Sequence, residues 1–85
     1  MKNVEIYTGP VCIFCDWAKA LLKKKGVPFK EIYIGEDQKK MEEMIKKANG
    51  LRTVPQIFID GQHIGGNDKL QALERKGKLN SLLGI

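Results

Sequence analysis

Val4-Glu5-Ile6-Tyr7-Thr8-Gly9-Pro10-Val11-Cys12-Ile13-Phe14-Cys15 is the stretch on which the reading of this chain turns. Val4 to Tyr7 alternates apolar and polar residues, the period of a half-buried strand. Thr8-Gly9-Pro10 breaks it with two punctuating residues. Two cysteines then stand three positions apart at the start of a helical pattern, and on a helix i and i+3 share one face. The two sulfurs therefore meet with little backbone movement, as a reversible disulfide requires. A helix start also presents unpaired N–H groups and the positive end of the helix dipole, both of which stabilise a thiolate. In such settings a cysteine pKa commonly falls from roughly 8.5 to somewhere between about 3.5 and 7.5.

Working outward, Phe14, Trp17, Ala18, Leu21 and Leu22 repeat at i, i+3, i+4, i+7 and i+8, an amphipathic helix with Trp17 expected in the core. Gly26 and Pro28 end it. Phe29 to Ile34 alternates again and predicts a second strand, parallel to the first across a right-handed crossover. Glu36-Asp37 suits the next helix start, and Met41, Met44, Ile45 and Ala48 give that helix its stripe, closed by Asn49-Gly50. Gln56 to Ile59 is a third strand. Asp60-Gly61 is a hairpin signal, which makes His63-Ile64 a fourth strand antiparallel to the third. Gly65-Gly66-Asn67-Asp68 leads into a last helix with Leu70 and Leu73, and Leu79, Leu82 and Leu83 cover the core from a tail. The order is βαβαββα: an α/β fold with a mixed four-stranded sheet flanked by three helices, one domain over residues 1–85. The cysteine pair then lies at the carboxyl end of the first strand, where open α/β sheets bind ligands.

Composition narrows the chemistry. The chain has 85 residues, 42% of them hydrophobic, and a net charge of +5 from 15 basic and 10 acidic residues. Thirteen of the basic residues are lysines spread along the chain, without the interleaved aromatics that would favour nucleic acid. No run reaches the ~18 apolar residues of a membrane helix, and no signal peptide precedes Val4, so the cytoplasm is the expected compartment. Closing a loop as short as Cys12–Cys15 removes little unfolded-chain entropy, which makes a poor structural staple. Half a zinc site would have to be completed by His63 and scattered carboxylates. A C-x-x-C beside a βαβ pattern instead reads as a thioredoxin-like redox motif.

Cys12-x-x-Cys15, Thr53-Val54-Pro55 and Gly65-Gly66-Asn67-Asp68, in this order and spacing, resemble the glutaredoxin family, and the likeness spans essentially the whole chain. Val4 to Thr8 and Val54 to Asp60 look like small bacterial dithiol glutaredoxins. The resemblance implies a thioredoxin fold and a glutathione-dependent thiol–disulfide oxidoreductase acting on disulfide or glutathionylated proteins. It implies Cys12 as nucleophile, Cys15 as resolving thiol and a redox disulfide between them. It implies that Pro55 is a cis-proline, with the Val54 backbone free to pair with glutathione. Phe14, Thr53, Val54, Pro55, Gly66, Asn67 and Asp68 are the implied glutathione contacts, with Asn67 capping the last helix. Lys39, Lys40 and Arg52 are the candidates for the glycyl carboxylate, and the sequence does not choose among them. Glutathione is then a co-substrate, no cofactor is tightly bound and the protein is a monomer.

Three positions depart from the family pattern. Ile13-Phe14 replaces the common Pro-Tyr, Gly9 stands where relatives often carry lysine, and Asn67 stands where many have a third cysteine. Relatives lacking that proline open a second reading, a [2Fe-2S] cluster held between two subunits by the outer cysteine, here Cys12, and bound glutathione. A third reading is a redoxin reduced by thioredoxin reductase, which the Gly-Gly-Asn-Asp segment argues against. Trp17 is expected as core, and His63 as a surface strand residue.

Overall fold

A computed structural model describes residues 2–85. Its elements are β1 (Val4–Thr8), α1 (Ile13–Lys24), β2 (Lys30–Tyr33), α2 (Gln38–Lys47), β3 (Gln56–Ile59), β4 (Gln62–Gly65), α3 (Asn67–Arg75) and α4 (Leu79–Leu83). The strands form one sheet in the order β2-β1-β3-β4. β1 runs parallel to β2 and antiparallel to β3, and β3 is antiparallel to β4.

Strand alternation sorts the core into two layers. Val4 and Ile6 of β1 and Ile57 and Ile59 of β3 face one side, where Ala18 and Leu22 of α1, Leu70 of α3 and Leu79 and Leu83 of α4 cover them. Tyr7 and Phe58 point the opposite way and pack with Ile34 and with Met44 and Ala48 at the end of α2. Tyr7 meets Phe58 edge to face at 5.6 Å, and Lys47 Nζ donates to the Tyr7 hydroxyl at 3.3 Å. Helices therefore lie on both faces of the sheet, with α1 and α3 side by side on one of them.

Local chemistry sets the element ends. Cys12 caps α1, and Asp37 caps α2 by accepting from Lys40 N–H at 3.1 Å. Gly26 takes φ 71° behind α1, while Val27 N–H reaches back to Leu22 O at 3.2 Å. Asp60 and Gly61 both hold positive φ, 51° and 79°, as the two central residues of a tight β-hairpin require.

The sequence expectations need four corrections here. The C-terminal tail is not irregular but forms a fourth helix, because Leu79, Leu82 and Leu83 recur at one helical turn and Leu79 and Leu83 are fully buried. Thr8 belongs to β1 rather than to the loop, since its carbonyl accepts from Ile34 N–H at 2.8 Å. Trp17, expected as core, is 52% exposed: the core side of α1 is Cys15, Ala18, Leu21 and Leu22, and Trp17 stands at its margin. His63 is half-buried, stacked on Phe58 with ring centroids 5.1 Å apart. No helix among the described residues is long and apolar enough to cross a membrane.

Candidate active site

The carboxyl end of β1 delivers Cys12 to the start of α1. Getting there bends the chain sharply: Val11 is fully exposed and holds φ 47°, a left-handed conformation rare for a β-branched residue. Cys12 then takes extended backbone as the cap, and its Sγ accepts from Cys15 N–H at 3.1 Å. The sulfur thus occupies the place an oxygen normally holds at a helix start. A thiolate there receives a charge-assisted hydrogen bond and the favourable end of the dipole. Cys12 and Cys15 are joined by a disulfide, with Cα atoms 5.2 Å apart. Cys12 is half-buried at the rim, whereas Cys15 is 2% exposed.

Across from Cys12 lies the segment before β3. The Val54–Pro55 peptide bond is cis, as the family likeness implies. The β1–β3 ladder ends at Gln56, and Val54 makes no backbone–backbone hydrogen bond among the described residues. Val54 O lies 3.7 Å from Cys12 Sγ, so a reduced thiol can donate to it.

A network not anticipated from the sequence steadies this loop. Gln56 is 1% exposed, and its amide nitrogen donates to Thr53 O at 3.0 Å and to Thr53 Oγ1 at 3.2 Å. With that nitrogen committed to Thr53, the Gln56 oxygen accepts from His63 Nε2 at 2.7 Å. The available signal was a lone polar residue at the head of an otherwise apolar strand: a buried polar side chain must find partners, and here they hold the loop.

The third wall is the start of α3. Its cap position is Gly66, which offers no side chain to the first-turn N–H groups. Asn67 is therefore not the cap but the first helical residue, its Oδ1 turned along the helix to accept from Gln71 Nε2 at 3.1 Å. The first-turn donors stay open to an anion. Gly66 matters for room: a Cβ there would meet Asp68 Oδ1 at 3.3 Å and Pro55 O at 3.4 Å.

These walls enclose a cleft of about 310 Å³ lined by Phe14, Thr53, Val54, Pro55, Gly66, Asn67 and Asp68. The structure thus gathers in one place the seven residues singled out for glutathione. Lys39, Lys40 and Arg52 are exposed and do not line it. Lys40 borders a separate depression beside Tyr7 and Lys47, and Arg52 directly precedes Thr53. The arrangement joins a polarised sulfur to an unpaired backbone edge and an uncapped helix start. It suits attack on a disulfide carried by a small extended peptide with carboxylates.

Known proteins share this arrangement of sequence and fold. A sequence model of the family described as Glutaredoxin matches residues 4–64. The chain is 58% identical over 83 residues to Glutaredoxin 3 of Escherichia coli (strain K12), covering 98% of this chain and 99% of that one. It is 48% identical over 84 residues to Glutaredoxin 1 of Rickettsia prowazekii (strain Madrid E), covering 98% and 88%. The solution structure of glutaredoxin from Brucella melitensis matches with TM-score 0.85 at 49% identity, over 98% of this chain and 89% of that one. The crystal structure of a buckwheat glutaredoxin–glutathione complex matches with TM-score 0.85 at 28% identity, over 98% and 77%.

Proposed function

The chain belongs to the glutaredoxin family, and from that premise we propose that Cys12 and Cys15 divide a glutathione-dependent exchange between them. Members of the family are thiol–disulfide oxidoreductases that use glutathione, and this chain is one of them. The observation that carries the assignment of roles is the unequal setting of the two sulfurs. Cys12 sits on the rim as the helix cap, and Cys15 sits inside.

In the first step the Cys12 thiolate attacks the glutathione sulfur of a glutathionylated protein. A Cys12–glutathione disulfide forms, the protein–glutathione disulfide breaks, and the protein leaves as a thiolate. In the second step a glutathione thiolate attacks the glutathione sulfur held on Cys12. Oxidised glutathione leaves and the Cys12 thiolate returns. For a protein disulfide, Cys12 forms the mixed disulfide and the Cys15 thiolate attacks Cys12 Sγ. That closes the intramolecular bond and frees the second protein thiolate.

The cleft orients these reactants. The Val54 N–H and C=O pair with the cysteinyl unit of glutathione as a strand edge would. The uncapped first turn of α3 takes the γ-glutamyl carboxylate, and Asp68 faces the ammonium beside it. Arg52, next to Thr53 in the chain, is the cation we assign to the glycyl carboxylate. The 85-residue chain acts as one domain and as a monomer, in the cytoplasm, where a reducing glutathione pool keeps such thiols available.

The test is reduction of the mixed disulfide of glutathione and cysteine, coupled through glutathione reductase to NADPH. Cys12→Ser is expected to abolish turnover, and Cys15→Ser to retain it while losing reduction of protein disulfides. Full activity in Cys12→Ser would overturn the assignment.

A further inference from the structure

Of seven large apolar side chains left exposed among the described residues, four lie within five positions of Cys12: Val11, Ile13, Phe14 and Trp17. Trp17 continues the cleft outward, its ring edge-on to Phe14 with centroids 5.4 Å apart. Beyond it, a groove of about 640 Å³ runs between α1 and α3. Trp17, Leu21 and Lys24 form one bank, and Gln71 and Arg75 form the other. Asn67 and Asp68 border both the groove and the cleft, so the two concavities are continuous.

The groove is graded in character. Near the cleft it offers the exposed indole of Trp17. At the far end it offers two cations, because Lys25 and Glu74 pair with each other across the same two helices at 2.6 Å. Lys24 and Arg75 have no salt-bridge partner among the described residues. Exposed unpaired charge beside an apolar strip is the pattern of a polar rim around a docking anchor.

We propose that this groove receives the protein half of a glutathionylated substrate while glutathione fills the cleft. It would select an extended segment with an apolar side chain against Trp17 and an acidic one at Lys24 and Arg75. The proposal rests on the glutaredoxin reading given above. Cys12 and Lys24 are twelve residues apart along α1, about 18 Å at 1.5 Å per residue. An extended chain covers that span in about five residues. The acidic side chain therefore belongs about five positions from the modified cysteine.

Glutathionylated peptides carrying an apolar residue next to the cysteine, and Glu or Lys about five positions away on either side, provide the test. The mixed disulfide of glutathione and cysteine serves as the reference substrate. For the wild type, one Glu peptide is expected to exceed its Lys counterpart about fivefold in kcat/KM, through KM, as two weak exposed ion pairs allow. The double variant Lys24→Glu/Arg75→Glu should reverse that order, and Trp17→Gln should weaken both peptides. Turnover of the reference substrate should stay unchanged in both variants. Equal rates for Glu and Lys peptides in the wild type would overturn the proposal. So would an equal loss on peptides and reference substrate in the variants, which marks a purely structural role. A concentration-dependent dimer abolished by Trp17→Gln would assign the groove to a second copy and overturn it as well. Failure of the wild type on the reference substrate would instead reject the glutaredoxin reading, and this proposal with it.

Discussion

Val11 shows what placing one sulfur costs. Its left-handed backbone strains a β-branched residue, and its side chain, fully exposed, gains nothing from packing. Val11→Gly is expected to raise stability by about 1 kcal/mol, the relief of strain exceeding the added freedom of the unfolded chain. Urea denaturation of the two proteins measures it. Gly66 is the opposite case, a position where a single methyl group intrudes. Gly66→Ala should push Asp68 and the Pro55 loop apart, raising KM for the glutathione mixed disulfide about tenfold with little change in melting temperature. Gly9 is similarly close-fitting, since a Cβ there would lie 3.1 Å from Val54 Cγ2. The cysteines, the Thr53-Val54-Pro55 loop and the glycine pair were all legible as sequence, because each is a local motif. The Gln56–His63 pair was not, since its meaning depends on two strands coming together.

At the level of elements, one carboxylate adds a polar link between α1 and the sheet to their apolar packing. Glu31 on β2 accepts from Thr8 Oγ1 at 2.7 Å and from Lys19 Nζ at 3.1 Å. The hydrogen bond from Thr8, helped by Lys19, holds its pKa below the ordinary value of 4.5. A lowered folded-state pKa stabilises the protein above the unfolded value. That contribution fades as the pH falls below about 4.5 toward the folded value. Glu31→Gln should therefore lower stability by about 1 kcal/mol at pH 7 and by progressively less toward pH 3. Melting curves across that range measure it. On the other face, burial pushes the Tyr7 phenol up, and the hydrogen bond to Tyr7 raises Lys47. Both hold the α2 anchor together below pH 10, and its contribution declines as the pH rises further. Helical period revealed α1, α2 and α3, but it read Trp17 as core. A helix longer than the surface it covers leaves apolar residues over, and no window of sequence shows where that surface stops.

Over the whole molecule, stability for 85 residues amounts to about 4–13 kcal/mol. Leu70 is fully buried in the layer shared by α1, α3 and α4. Leu70→Ala should cost about 3 kcal/mol, a large part of that total, and guanidinium denaturation will record it. The two-layer architecture was readable from strand alternation and Asp60-Gly61. The short α4 was not, since five residues give too little periodicity to separate a helix from a tail. The strand order β2-β1-β3-β4 carries a further consequence, for synthesis. β1 is made first but gains its second neighbour late, because its antiparallel partner begins only at Gln56. A nascent chain stopped before that point exposes one edge of β1 and an apolar layer still lacking Leu70, Leu79 and Leu83, the kind of surface that chaperones engage. Ribosomes stalled in its middle are therefore expected to hold a species prone to aggregate.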